Sequence, residues 1–165
     1  MKIAIAGSHG LIGTNLVTHF RKSNINVTRI VRLKDQNGIY WDPLTGYINH
    51  ENLENYDVII NLCGEKIASF NPFFKNKSKL ISSRVSTNLI LSKTIAKLAN
   101  PPKYFITASA TGIYKPTKRR ITESGKLNRG FLAQLALEWE EASKFYDNGK
   151  TKIINLRFGQ VISPQ

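Results

Sequence analysis

The chain has 165 residues, 41% of them hydrophobic, a single cysteine and a formal net charge of +13. That length and composition suit one globular domain with a buried core. No apolar run approaches the ~20 residues of a membrane span, and the short apolar start, broken by Gly7, Ser8, His9 and Gly10, does not read as a secretory leader. The lone Cys63 excludes an internal disulfide, which points to a reducing, cytoplasmic setting. The basic residues are scattered, with one denser stretch from Lys115 to Arg120 and no nucleic-acid motif beside it, so the charge reads as a solvated surface and no nucleic-acid partner is expected.

In chain order, Lys2–Ala6 is a short apolar run ending at glycine and predicts a buried strand. Apolar residues at Leu11, Ile12, Leu16, Val17 and Phe20 have helical spacing, so Leu11–Lys22 predicts a helix. Asn26–Val31, rich in β-branched residues, predicts a second strand, and Ile39–Trp41 a weaker one between the turn signals Asn37-Gly38 and Asp42-Pro43-Leu44-Thr45-Gly46. Asp57–Leu62 is the clearest buried strand. Lys79–Leu98 predicts a long amphipathic helix that Pro101-Pro102 stops. Tyr104–Ser109 predicts a strand, Phe131–Tyr146 a helix carrying Trp139 and Phe145, and Lys152–Phe158 the last strand. Strands and helices that alternate in this way, with apolar strands, predict an α/β domain: a doubly wound parallel sheet with helices on both faces.

The stretch Ala4-Ile5-Ala6-Gly7-Ser8-His9-Gly10-Leu11-Ile12-Gly13 places glycine at every third position between the first strand and the first helix. In a doubly wound sheet that corner can hold a pyrophosphate. Glycine permits the tight turn and the approach of backbone to phosphate, and the helix start supplies free N–H groups and partial positive charge. Gly7, Ser8, His9, Gly10, Leu11, Ile12 and Gly13 are therefore candidate cofactor contacts, and the corner predicts a Rossmann-like NAD(P) site. About 20 residues on, NAD sites place an acid for the ribose 2′-hydroxyl. Here the chain reads Arg29-Ile30-Val31-Arg32-Leu33-Lys34, with no acid before Asp35. A guanidinium suits a 2′-phosphate through forked hydrogen bonds, so NADP is expected over NAD, with Arg32 as the contact.

Asn61-Leu62-Cys63-Gly64-Glu65-Lys66-Ile67 resembles the N-L-A-G-E-x-I segment of a subfamily of extended short-chain dehydrogenase/reductases, the NAD(P)-dependent nucleoside-diphosphate-sugar epimerase-like group sometimes labelled cell-division inhibitors. Other segments agree in order: Trp41-Asp42-Pro43, Ile81-Ser82-Ser83-Arg84-Val85, Thr107–Tyr114 with S-A-S-A-x-G-x-Y, Gly130-Phe131-Leu132-Ala133, Trp139-Glu140 and Leu156–Ile162. The glycine spacing is itself similar to this branch. The resemblance spans the whole chain. It implies that Asn61, Leu62, Cys63, Gly64 and Glu65 form a loop near the adenosine side of the cofactor, and that Ser109 lies beside the nicotinamide. It also implies hydride chemistry on a nucleotide-sugar or similar small molecule.

The pattern departs from active short-chain enzymes in one respect. Those carry Tyr-x-x-x-Lys after the serine strand, where the tyrosine moves the proton and the lysine holds positive charge beside it. The corresponding stretch here is Phe131-Leu132-Ala133-Gln134-Leu135, which can do neither. Tyr114 is the one phenol near Ser109 that could substitute, so Ser109 and Tyr114 are the catalytic candidates. The family also carries a C-terminal part that closes over the sugar, so residues 1–165 are expected to be the NAD(P)-binding domain with that part absent. Three readings stand: an epimerase-like oxidoreductase domain, an NADP(H)-binding regulator without catalysis, and a nucleic-acid module for which only the charge speaks.

Overall fold

The computed structural model describes residues 1–67, 77–147 and 149–163. β1 (Lys2–Ala6) passes through the glycine turn into α1 (Leu11–Lys22) and β2 (Asn26–Val31). β3 (Ile39–Asp42), β4 (Tyr47–Ile48), a 3₁₀ turn (His50–Leu53) and β5 (Val58–Asn61) follow. Then come α2 (Lys77–Ile81), a π-helical turn (Ser82–Ser86), α3 (Thr87–Ile95), β6 (Tyr104–Ala110), α4 (Phe131–Lys144) and β7 (Lys152–Phe158).

The strands form one seven-stranded sheet in the order β4-β3-β2-β1-β5-β6-β7. Five neighbouring pairs are parallel and only the short β3–β4 hairpin is antiparallel. The chain winds outward from β1 in one direction and from β5 in the other. A crevice therefore opens at the C-terminal ends of β1 and β5, where an open α/β sheet binds its ligand.

The period-2 alternation of β1 shows why helices cover both faces. Ile3 and Ile5 pack with Val17 and Phe20 of α1, together with Val58 and Ile60 of β5. Ala4 and Ala6 face the other way, into a cluster with Leu91 and Ile95 of α3, Ile59 and Phe105. A strand buried on both sides admits polar residues only where they are hydrogen-bonded, so β1 and β5 read as near-continuous apolar runs, with Asn61 closing β5. α4 lies on the α3 side, where the Asn88 Nδ2 donates to the Trp139 carbonyl at 2.8 Å.

The element order and the doubly wound fold agree with the sequence reading. The long helix expected over Lys79–Leu98 is instead two α-helices joined by a π turn and ends at Ile95. The hydroxyl of Thr87, at the start of α3, donates back to the carbonyls of Ser83 and Arg84 in the turn at 3.0 and 2.9 Å, and Arg84 is buried. A single π turn of this kind re-aims side chains within a helix. At the far end, the Glu54 carboxylate accepts the amides of Ala99 and Asn100 at 2.8 and 2.9 Å, which takes the chain out of the helix before the prolines are reached. β4 carries no sequence signal, because two residues are too few to show a period.

Candidate active site

Gly7 has φ +73°, and a Cβ there would lie 2.7 Å from the Leu62 carbonyl carbon. A Cβ on Gly13 would lie 2.4 Å from the Gly7 carbonyl oxygen. Both glycines are thus required by the protein's own packing. Gly7 also brings the turn after β1 against the backbone that follows β5. Gly10 differs: it is exposed, its φ of −74° suits any residue, and the only atom near a Cβ there is the Gly7 oxygen at 3.4 Å. Nothing in the fold requires Gly10 to lack a side chain. It caps α1 with no side-chain hydrogen bond, and the first turn of that helix contains no acid. Leu11 and Ile12 follow with their amides at the positive end of the helix. Ser8 is buried, and its hydroxyl has no hydrogen-bond partner among the described residues. His9 is exposed at the tip of the turn. A bare cradle of this kind, with amides open and a Cβ missing where the protein does not need it missing, fits the diphosphate of a dinucleotide.

Two arginines, one on β2 and one just after it, are placed differently. Arg29, which the sequence reading passed over, donates through Nη1 to the Ser8 carbonyl and so ties the turn to the second strand. Arg32 follows the strand and is exposed. Burial pushes the Cys63 thiol up to about 12, with the nearby charge of Arg32 pulling the other way. Cys63 is therefore a neutral, half-buried side chain packed against the core beside Arg32, where it behaves as a small hydrophobe.

The Asn61–Glu65 loop is held by the π turn. The fully buried Asn61 donates through Nδ2 to the Asn88 Oδ1 at 2.7 Å and the Thr87 hydroxyl at 3.2 Å, while its Oδ1 accepts the Cys63 amide at 3.1 Å. The Glu65 amide donates to the Ser83 hydroxyl at 3.0 Å, and Arg84 donates to the Glu65 carbonyl at 2.9 Å. The Arg84 guanidinium stands 5.1 Å from the Trp139 ring. Burial lowers its pKa, with the charge of Glu65 opposing. An arginine that could have been a solvated surface residue is a buried clamp, and Gly64 leaves room for it, since a Cβ there would sit 3.3 Å from its Nη2.

Ser109 lies near the end of β6 and is buried; its hydroxyl donates to the Glu140 Oε1 at 2.6 Å. Glu140, on α4, is gripped by Arg157 of β7, whose Nε and Nη2 donate to the two carboxylate oxygens at 2.7 and 2.8 Å. Burial alone would push the Glu140 carboxyl up. The hydrogen bonds from Arg157 and Ser109 and the guanidinium's charge outweigh it and hold the carboxyl below its usual value. Arg157 is raised in turn by its hydrogen bonds to Glu140. Its Nη1 donates to the Tyr114 hydroxyl and, at 3.2 Å, to the Glu123 carbonyl. The two residues singled out as catalytic candidates thus share one ion pair. Phe131 and Leu135 stand in the first turns of α4 and bring neither proton nor charge.

Glu140 and Arg157 were not read as functional from the sequence. Their signal was present in Trp139-Glu140 and Leu156-Arg157-Phe158, but a salt bridge between residues 17 apart on a helix and a strand has no local period that reveals it.

A model of the NAD dependent epimerase/dehydratase family matches residues 3–165. "Epimerase family protein Mb2239" of Mycobacterium bovis is 36% identical over 165 residues, which cover 98% of this chain and 54% of that protein. The chain therefore spans about half the length of the curated relatives it matches. The nucleoside-diphosphate sugar epimerase from Corynebacterium glutamicum superposes with a TM-score of 0.80 at 28% identity, over 95% of this chain and 33% of that one. The human epimerase family protein SDR39U1, solved with NADPH, superposes with a TM-score of 0.81 at 24% identity, over 95% of this chain and 53% of that one, a likeness of fold. The chain belongs to the NAD-dependent epimerase/dehydratase family.

Proposed function

We propose that residues 1–165 form the NADP-binding domain of an epimerase- or reductase-like short-chain dehydrogenase that acts on a nucleotide-sugar or a similar small molecule. The part that closes over the substrate corresponds to the portion of the relatives that this chain does not span. The observation that carries the reading is Gly10, a glycine the fold does not need, at the uncapped start of α1. Gly7, Ser8, His9, Gly10, Leu11, Ile12 and Gly13 would take the diphosphate, and Asn61, Leu62, Cys63, Gly64 and Glu65 would border the adenosine. When bound, the nicotinamide would supply hydride chemistry. The chain's own part is to bind, orient and move a proton at Tyr114, with Ser109 alongside.

Arg32 supports NADP over NAD, since it stands where an acid would serve the 2′-hydroxyl. Titration of the full-length protein with each dinucleotide tests it: NADPH should bind at least about tenfold tighter than NADH, and equal or tighter NADH binding overturns the choice. A second reading, a dinucleotide-binding regulator without catalysis, is favoured by Phe131 and Leu135 at the start of α4. Turnover of NADPH with any of a panel of nucleotide-sugars would exclude it.

A further inference from the structure

The geometry points to Arg157 as the positioning residue of a Tyr114 proton donor, aimed by Glu140, with Ser109 confined to the role of acceptor. The inference rests on the reading of this rim as an active site. A guanidinium carries only donors. In the contact between Arg157 Nη1 and the Tyr114 hydroxyl the phenol oxygen therefore accepts, and the phenol's own proton finds no acceptor among the described residues. Ser109 is in the opposite state. Its one proton goes to the Glu140 Oε1 at 2.6 Å, and Glu140 is held ionised by two further hydrogen bonds from Arg157. Two hydroxyls attached to one ion pair are thus set oppositely, Ser109 with its proton engaged and Tyr114 with its proton free.

The guanidinium is fixed for this task. Nε and Nη2 are taken up by the carboxylate, which leaves Nη1 for the phenol and for the Glu123 carbonyl. It also stands 5.0 Å from the centre of the Tyr114 ring. When Tyr114 gives its proton to a ligand oxygen, the phenol O–H bond breaks, a new O–H bond forms on the ligand, and the electron pair stays on the phenol oxygen, which faces the Arg157 N–H. The reverse step takes the proton back to that oxygen. The charge that Leu135 does not bring to α4 is supplied to the Tyr114 oxygen by Arg157 of β7.

The test needs no known substrate. Tetranitromethane nitrates the ionised phenol, and mass spectrometry of the full-length protein reads Tyr114 against the other five tyrosines of residues 1–165 as internal controls. The nitration rate of Tyr114 should fall about tenfold in Arg157→Leu and in Arg157→Gln, and stay within about twofold in Arg157→Lys, because only a cationic donor at that place can make a charge-assisted hydrogen bond to the phenol oxygen as it reacts, a contact of that order of strength. A purely structural Arg157 predicts the other sign: Tyr114 is only 9% exposed, so loosening its surroundings would speed nitration. An unchanged or faster rate in the leucine and glutamine variants overturns the proposal. Should the leucine variant fail to fold, the glutamine–lysine pair still decides it. NADPH titration of the unsubstituted protein is read separately, so a failed cofactor site and a failed tyrosine–arginine pair give different results.

Discussion

The glycine corner after β1 and the hydroxyl rim formed by β6, α4 and β7 sit at the same edge of the sheet, yet they are built in opposite ways. The corner is made of backbone. It leaves the Gly10 cap without a side chain upon it and the Ser8 hydroxyl without a partner among the described residues. The rim is made of side chains, and there Ser109, Glu140 and Arg157 consume one another's hydrogen-bonding capacity. A backbone site is spoiled chiefly by filling space. A side-chain site can be spoiled by removing one charge, because the partner is left buried alone.

The largest effect should come from the rim. Glu140→Ala strands the half-buried Arg157 guanidinium and the buried Ser109 hydroxyl, which should cost about 2–3 kcal/mol of stability, less than a fully buried pair would, to be read by urea denaturation. The pH dependence sharpens the point. Glu140 holds its proton less readily folded than unfolded, so its contribution is present above the ordinary glutamate value of 4.5 and is lost as pH falls below it. The unsubstituted protein should lose stability faster than Glu140→Gln as the pH drops through that range. Parallel curves would detach Glu140 from acid stability.

At the corner, Gly13→Ala places a methyl 2.4 Å from the Gly7 oxygen and should cost about 2 kcal/mol, the order of a tight overpacking. Gly10→Ala is the informative contrast. Its stability should match or slightly exceed that of the parent, since alanine narrows the unfolded ensemble and meets nothing closer than 3.4 Å. NADPH affinity should still fall at least tenfold, on the order of 1.4 kcal/mol. A variant that keeps its affinity would mean that the cradle is not where the diphosphate lies.

These contrasts also show what the sequence could reveal. Strands buried on both faces, such as β1 and β5, announce themselves as apolar runs, and the glycine rhythm marks the corner because Gly7 and Gly13 answer to steric demands of the turn itself. The sequence does not say which glycine serves the fold and which the ligand, since that depends on Leu62, some fifty positions away. Ser109 stood out through the family resemblance, and Tyr114 as the one phenol near it. Their ties to Arg157 and Glu140 depend on how α4 crosses β7, a tertiary fact with no period in the chain. Arg29 and Arg32 look alike in sequence, three positions apart on or beside one strand, yet one is spent on the Ser8 carbonyl and the other is exposed.

That last difference sets the smallest effect. Arg32→Ala should leave NADH affinity unchanged and weaken NADPH by roughly tenfold, the loss of one forked, charge-assisted contact. Because Arg32 is exposed, its attraction for a phosphate is screened by salt. The parent's preference for NADPH should therefore shrink between 0.05 and 0.5 M salt (about 14 to 4 Å of Debye length), whereas that of the alanine variant should barely move. Arg29→Met should act on both dinucleotides alike, since the Ser8 carbonyl it holds belongs to the turn that any diphosphate would use. If Arg32→Ala weakened both cofactors equally, the residue would belong with the corner's shared backbone cradle, and the choice between NADP and NAD would have to be made by another group.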